Sequence, residues 1–88
     1  MARSGQITVT TAGTAVRGDD QAGSWFVLKA HPDNTDTVWI GEVSEDVSSS
    51  NGFPLGPSQA VELGLSNLRH IWCDADVDGE KVCWLLIE

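Results

Sequence analysis

His70-Ile71-Trp72-Cys73-Asp74-Ala75-Asp76-Val77-Asp78-Gly79-Glu80-Lys81-Val82-Cys83-Trp84-Leu85-Leu86-Ile87-Glu88 closes the chain. Two runs rich in β-branched and aromatic residues flank an Asp-Gly tip, which reads as a C-terminal β-hairpin. A two-residue turn at Asp78-Gly79 sets Cys73 opposite Trp84. A three-residue loop with Gly79 in the left-handed position, a type I turn plus G1 bulge, sets Cys73 opposite Cys83 and Trp72 opposite Trp84. The second register sorts the faces better. Ile71, Cys73, Ala75, Cys83, Leu85 and Ile87 share one face, with Lys81 at the tip, and His70, Trp72, Asp74, Asp76, Val82, Trp84 and Leu86 share the other. A one-residue slip mixes the two sets, so the sorting selects the three-residue loop.

The same grammar runs back through the chain. Ala60 to Leu65 alternates, with Val61, Leu63 and Leu65 inward and Glu62 and Gly64 outward. Asn67-Leu68-Arg69 reads as a single tight turn, and Pro57 sets another. Val47 to Gly56 is irregular, with Phe53 and Leu55 as plugs into the core. Thr37 to Val43 is a strand with Val38 and Ile40 inward. His31-Pro32-Asp33-Asn34 is a turn, because Pro cannot donate to a ladder and Asn tolerates positive φ. Trp25 to Ala30 is a central strand with Phe26 and Leu28 inward. Gly18 to Gly23 is a polar loop, Thr14 to Arg17 a short strand, and Gln6 to Thr10 a strand with Ile7 and Val9 inward. No helix is expected. Turn residues recurring about every eight to twelve positions predict an all-β, antiparallel sandwich or small barrel, jelly-roll-like, of about seven or eight short strands.

The 88 residues suffice for one domain, spanning 1–88, with residues 1–5 as a flexible arm. A domain of this size buries about 60–65% of its unfolded surface, so its core is thin. No apolar run is long enough to cross a membrane as a helix. No apolar stretch follows Arg3, so the start is not read as a secretory signal, and synthesis in a cytoplasm is expected. Net charge is −8, from 13 acids against 5 bases. Arg3, Arg17, Lys29, Arg69 and Lys81 are scattered, which argues against nucleic acid and against an anionic membrane. A basic protein surface is compatible with this charge.

Candidate chemistry is sparse. Asp74-x-Asp76-x-Asp78-Gly79 matches the first half of a calcium loop, but Leu85 stands where the bidentate Glu belongs, so the three aspartates read as a solvated tip. His31, His70 and Cys73 lack metal-type spacing, and no zinc site is expected. Cys73 and Cys83 are either a cross-strand staple or two small apolar side chains; a reducing compartment favours free thiols. His31 and His70 are the only neutral-pH base candidates and neither has a nucleophile context, so no catalytic residue, cofactor or enzymatic activity is expected. The four tryptophans, Trp25, Trp39, Trp72 and Trp84, exceed what so small a core holds. Trp72 and Trp84 are therefore read as a pair facing another chain, joined by Trp25.

Gly13-Thr14-Ala15-Val16, Val27-Leu28-Lys29-Ala30, Val38-Trp39-Ile40-Gly41, Val47-Ser48-Ser49-Ser50-Asn51-Gly52-Phe53-Pro54-Leu55, the Pro57 to Leu65 strand and Asp76-Val77-Asp78-Gly79-Glu80 follow one another in an order that spans nearly the whole chain. In this order the chain resembles small virion proteins of tailed bacteriophages, most closely the capsid decoration, or cement, class. The resemblance implies a compact β module, usually a homotrimer, seated on the outer capsid, with the major capsid protein as partner, and brings no catalytic motif. It implies location on the virion after synthesis in the host bacterial cytoplasm. A small tail, neck or fibre module is the alternative within virions. A carbohydrate-binding β-sandwich, with exposed Trp beside Asp, is the alternative outside them.

Overall fold

The structure is a computed structural model, and it describes residues 3–42, 47, 48 and 50–88. Its strands are β1 (Arg3–Val9), β2 (Val16–Arg17), β3 (Trp25–Ala30), β4 (Val38–Glu42), β5 (Phe53–Leu55), β6 (Ala60–Gly64), β7 (Ile71–Ala75) and β8 (Glu80–Leu86). They form two four-stranded sheets, ordered β1-β8-β3-β6 and β2-β7-β4-β5, with every pairing antiparallel. Successive strands mostly alternate between sheets. The result is a jelly-roll sandwich, as the turn spacing predicts.

The inward sets follow period-2 alternation. Ile7 and Val9, Phe26 and Leu28, Val38 and Ile40, and Leu65 are buried as expected, while Val61 and Leu63 pack against the core from its margin. Gly79 has φ 82°, the left-handed conformation foreseen for it. Asn67-Leu68-Arg69 does tighten: a single 3-10 turn spans Leu68–His70, and the Asn67 side chain accepts the Arg69 N–H. β1 begins at Arg3, so Arg3, Ser4 and Gly5 pair with β8 instead of forming an arm. Met1, Ala2, the expected strand end at Val43, and Ser49 in the loop before β5 lie outside the described residues.

Two expectations are corrected. The first is the C-terminal hairpin. β7 pairs with β2 and β4, whereas β8 pairs with β1 and β3, so the Asp76–Gly79 turn carries the chain from one sheet to the other. Cys73 is therefore not opposite Cys83, nor Trp72 opposite Trp84. Ile71, Cys73 and Ala75 enter the core from one side; Val82, Trp84 and Leu86 enter it from the other, leaving Leu85 and Ile87 exposed. β8 is apolar on both faces, so alternation alone does not choose which face a two-layer sandwich buries. The turn is held across sheets instead of along a ladder: the Gly79 N–H donates to the Val9 carbonyl at 2.8 Å.

The second is Phe53, expected as a core plug. It pairs with the inward-facing Ile40, yet is 56% exposed. Its strand is the edge of its sheet, and the two sheets part on that side, so nothing on β6 covers the ring. Leu55, two residues on, is buried as expected.

Candidate functional site

Pairing of β1, β8, β3 and β6 fixes which side chains share the outer face of that sheet. Leu85 lies between Ser4 on β1 and Val27 on β3, and Val27 lies beside Glu62 on β6. One row toward the C-terminus, Trp25 is opposite Gly64, and the Ile87 N–H donates to the Trp25 carbonyl at 2.9 Å. Trp25 is 39% exposed, Leu85 42% and Ile87 46%. These three large apolar side chains stand together with half-buried Val27 behind them. Contiguous exposed apolar side chains are the kind of surface at which proteins dock, and this row makes the face the candidate site.

The patch is rigid. The Trp25 indole lies flat over Gly64, where an added Cβ would come within 3.1 Å of the ring. Its N–H donates to the Glu62 carboxylate at 2.8 Å. An aromatic side chain already held in one rotamer loses little entropy on docking. The next rows bring Cys83 between Gln6 and Lys29, and Lys81 beside Thr8. Two of the five bases thus share this face with one acid, Glu62. Among the described residues this face therefore carries no excess of acid, although the net charge of the chain is −8.

Several of the other described acids are structural. The Asp74 carboxylate accepts the Gly13 N–H at 3.0 Å and its own neighbour's, Ala75, at 2.8 Å. Asp78 accepts the Ala12 N–H at 2.7 Å. Both fasten the β1–β2 turn, while Asp76 points to solvent. Among the described residues no group of three His, Cys, Asp or Glu is gathered as metal ligands. Titration with calcium is accordingly expected to give no heat of micromolar binding; saturable heat would show that these carboxylates rearrange around the ion.

Of the tryptophans read as an interface pair, Trp84 is in the core, edge-on to Phe26 with ring centroids 6.3 Å apart and planes at 66°. Trp72 is half-buried on the outer face of the opposite sheet, with the Arg17 guanidinium 5.8 Å from its ring centroid. Trp39 is a diagonal neighbour on that face, since Trp39 pairs with Asp74 and Gly41 with Trp72. Only Trp25 of the expected trio belongs to the exposed apolar face. The expected hairpin puts Leu85 and Ile87 on the face away from Trp72 and Trp84, so sequence reasoning did not find them; the available signal was the apolar character of both faces of Val82 to Ile87.

Cys73 and Cys83 are both free and stand on opposite sheets. Burial pushes the Cys73 thiol up from an ordinary 9.0 to about 12. A thiol reagent at pH 8 is therefore expected to label Cys83 and to reach Cys73 only on unfolding; rapid labelling of both would mean that the core opens. Cys73's folded pKa is the higher, so its contribution to stability is complete below about pH 9 and is lost as pH rises toward 12. His31 and His70 occupy loops at opposite ends of the sandwich, and His31 Nδ1 accepts the Asp33 N–H at 3.0 Å.

A second surface feature is an apolar cleft of about 250 Å3 where the sheets part, lined by Ile40, Phe53, Val61, Leu63, Leu65 and Ile71, with Glu42 at its margin.

No protein-family model and no curated protein matches the chain. Among solved structures, it is similar to one from work on Bacillus endospore appendages, which are described as forming a novel family of disulfide-linked pili. The TM-score is 0.52 at 14% identity, and the match covers 97% of this chain and 83% of the other. At that identity the likeness speaks for the fold alone, an all-β sandwich.

Proposed function

We propose that the protein is a structural component of a tailed-phage particle that binds the outer surface of the assembled capsid and stabilises it, working without catalysis and as a homotrimer. The observation that carries this reading is the rigid apolar row of Trp25, Leu85 and Ile87 on an open sheet face. Covering side chains already half-buried yields on the order of 1 kcal/mol each, too little for one tight contact. A trimer repeats the contact and gains avidity from effective concentration, which suits attachment to a lattice of identical subunits. A shell under internal pressure fails where subunits separate, and a stiff module spanning such a junction opposes that separation. Lys29 and Lys81 beside the patch favour a partner surface with some negative charge.

A second reading is a small tail, neck or fibre module, for which the same apolar face would serve as the joint to a neighbouring subunit. A sugar-binding platform fits less well, because Leu85 and Ile87 beside Trp25 are apolar and its polar neighbour, the Glu62 carboxylate, is already engaged by the indole N–H. Mixing purified protein with undecorated, expanded shells tests the proposal. Saturable co-sedimentation and a raised disruption temperature are expected. Absence of binding, with labelled protein located at the tail of virions, would replace the capsid reading with the tail reading.

A further inference from the structure

The two sides of the sandwich are unlike. On one side β1 and β2 come together and close the core. On the other, β5 and β6 stand apart around the apolar cleft, with Phe53 exposed on its lip and Val61 and Leu63 half-buried. Among the described residues, the other edge of β6 has no partner strand. The Ala30 N–H donates to the Gln59 carbonyl and the Leu65 N–H to the Ser24 carbonyl. With Phe26 opposite Leu63 and Leu28 opposite Val61, residues 61 and 63 bond to β3, so the N–H and C=O groups of Ala60, Glu62 and Gly64 point outward. An apolar cleft beside an unpaired edge is a template for another strand.

We propose that the β5/β6 side of one molecule is covered by the β1/β2 side of a second copy, with the β1-β8-β3-β6 sheet continuing across the interface through β6 and β1; β5, whose outward residue Pro54 has no N–H to donate, contributes apolar cover from Phe53. Strand direction fits: β1 and β6 run oppositely, so their junction is antiparallel without turning either copy over. Charge fits as well. Glu42 and Glu62 mark the β5/β6 side. Arg3 and Arg17 mark the β1/β2 side, where Asp20 is engaged by Arg69 at 3.4 Å and Asn67 at 2.8 Å, leaving Asp19 against the two arginines. Pairing β6 with β6 of another copy would instead set Glu62 near Glu62, a like-charge contact that disfavours the two-fold alternative. A contact between unlike sides forms a ring where the rotation per copy closes and an open filament where it does not, and the homotrimer proposed above is the closed case at three copies. The inference supplies that trimer with its interface, and it is tested without shells, so its failure is separable from failure of capsid binding.

The test is light scattering of the full chain over a concentration series. Wild type is expected to be oligomeric. Glu62→Pro removes an outward N–H and leaves the β3 ladder in place, and is expected to weaken self-association by about tenfold or more with an unchanged β-type circular dichroism spectrum. Glu62→Gln keeps both the N–H and the acceptor for Trp25, and is expected to remain oligomeric with less salt dependence. Arg3→Glu, exposed on the opposite edge and outside β6, is expected to weaken association too, and it provides the readout if the proline variant does not fold. A monomeric wild type at high micromolar concentration, or folded Glu62→Pro or Arg3→Glu proteins that associate as wild type does, would overturn the proposal.

Discussion

Replacing Phe26 with alanine is expected to cost about 3–5 kcal/mol of folding stability. Phe26 is fully buried on β3, between β8 and β6 in its sheet, with Leu86 and Leu63 as its pairing partners. Its ring also meets the Trp84 indole edge-on. Truncation removes the transfer energy of the ring and leaves a cavity beside a large, stiff neighbour that relaxes little. A domain of this size holds only about 5–15 kcal/mol in total. At about 4–8 °C per kcal/mol, the melting temperature should fall by roughly 12–40 °C, read by circular dichroism. Phe26→Leu should lose less than half as much. A loss below about 1 kcal/mol for the alanine variant would mean that the core is not organised around this contact.

Glu80→Ala is expected to lose on the order of 3 kcal/mol through an entirely different mechanism. Glu80 is a buried carboxylate at the start of β8. One oxygen accepts the N–H of Thr35 at 2.9 Å, the N–H of Asp36 at 2.7 Å and the Thr35 hydroxyl at 3.2 Å. Beside it the Asn34 amide donates to the Lys81 carbonyl at 2.8 Å and accepts the Lys81 N–H at 2.9 Å, in the manner of one rung of a strand. These bonds tie the β3–β4 connection, which passes between sheets, to the strand that centres the exposed apolar face. Alanine would leave two backbone donors and a hydroxyl without partners in a partly buried site. Glu80→Gln retains the accepting oxygen and should recover most of the loss. Equal melting temperatures for wild type and the alanine variant would show that water replaces the carboxylate without cost.

Asn34 was legible as a turn residue tolerant of positive φ, a conformation it does not adopt, and Glu80 as part of a hairpin tip; their importance comes instead from tertiary neighbours more than forty positions away. Strand identity was more accessible. Gln6 to Thr10, Trp25 to Ala30 and Ala60 to Leu65 alternate in the period that a half-buried strand imposes, and Gly79 sits where only a residue tolerant of positive φ is comfortable. What alternation does not encode is which sheet the next strand joins. Asp76–Gly79 has the composition of a hairpin tip, yet it bridges the two sheets because Gly79 bonds to Val9 and the Asp74 and Asp78 carboxylates are engaged by Gly13 and Ala12. That single difference turned Val82, Trp84 and Leu86 inward and Leu85 and Ile87 outward. The expected site moved with it, from a Trp72/Trp84 pair to the face around Trp25.

The central claim is that this outer face is where the protein meets its partner. Leu85→Asp tests it most directly, because Leu85 is 42% exposed between Ser4 and Val27, and its change removes nothing from the core. The measurement is the binding isotherm of wild type and variant on expanded capsid shells, with melting curves recorded alongside. A charge placed in a contact that must dry should weaken shell binding by at least about tenfold while the melting temperature stays near that of wild type. A folded Leu85→Asp protein that binds the shells as tightly as wild type would contradict the account.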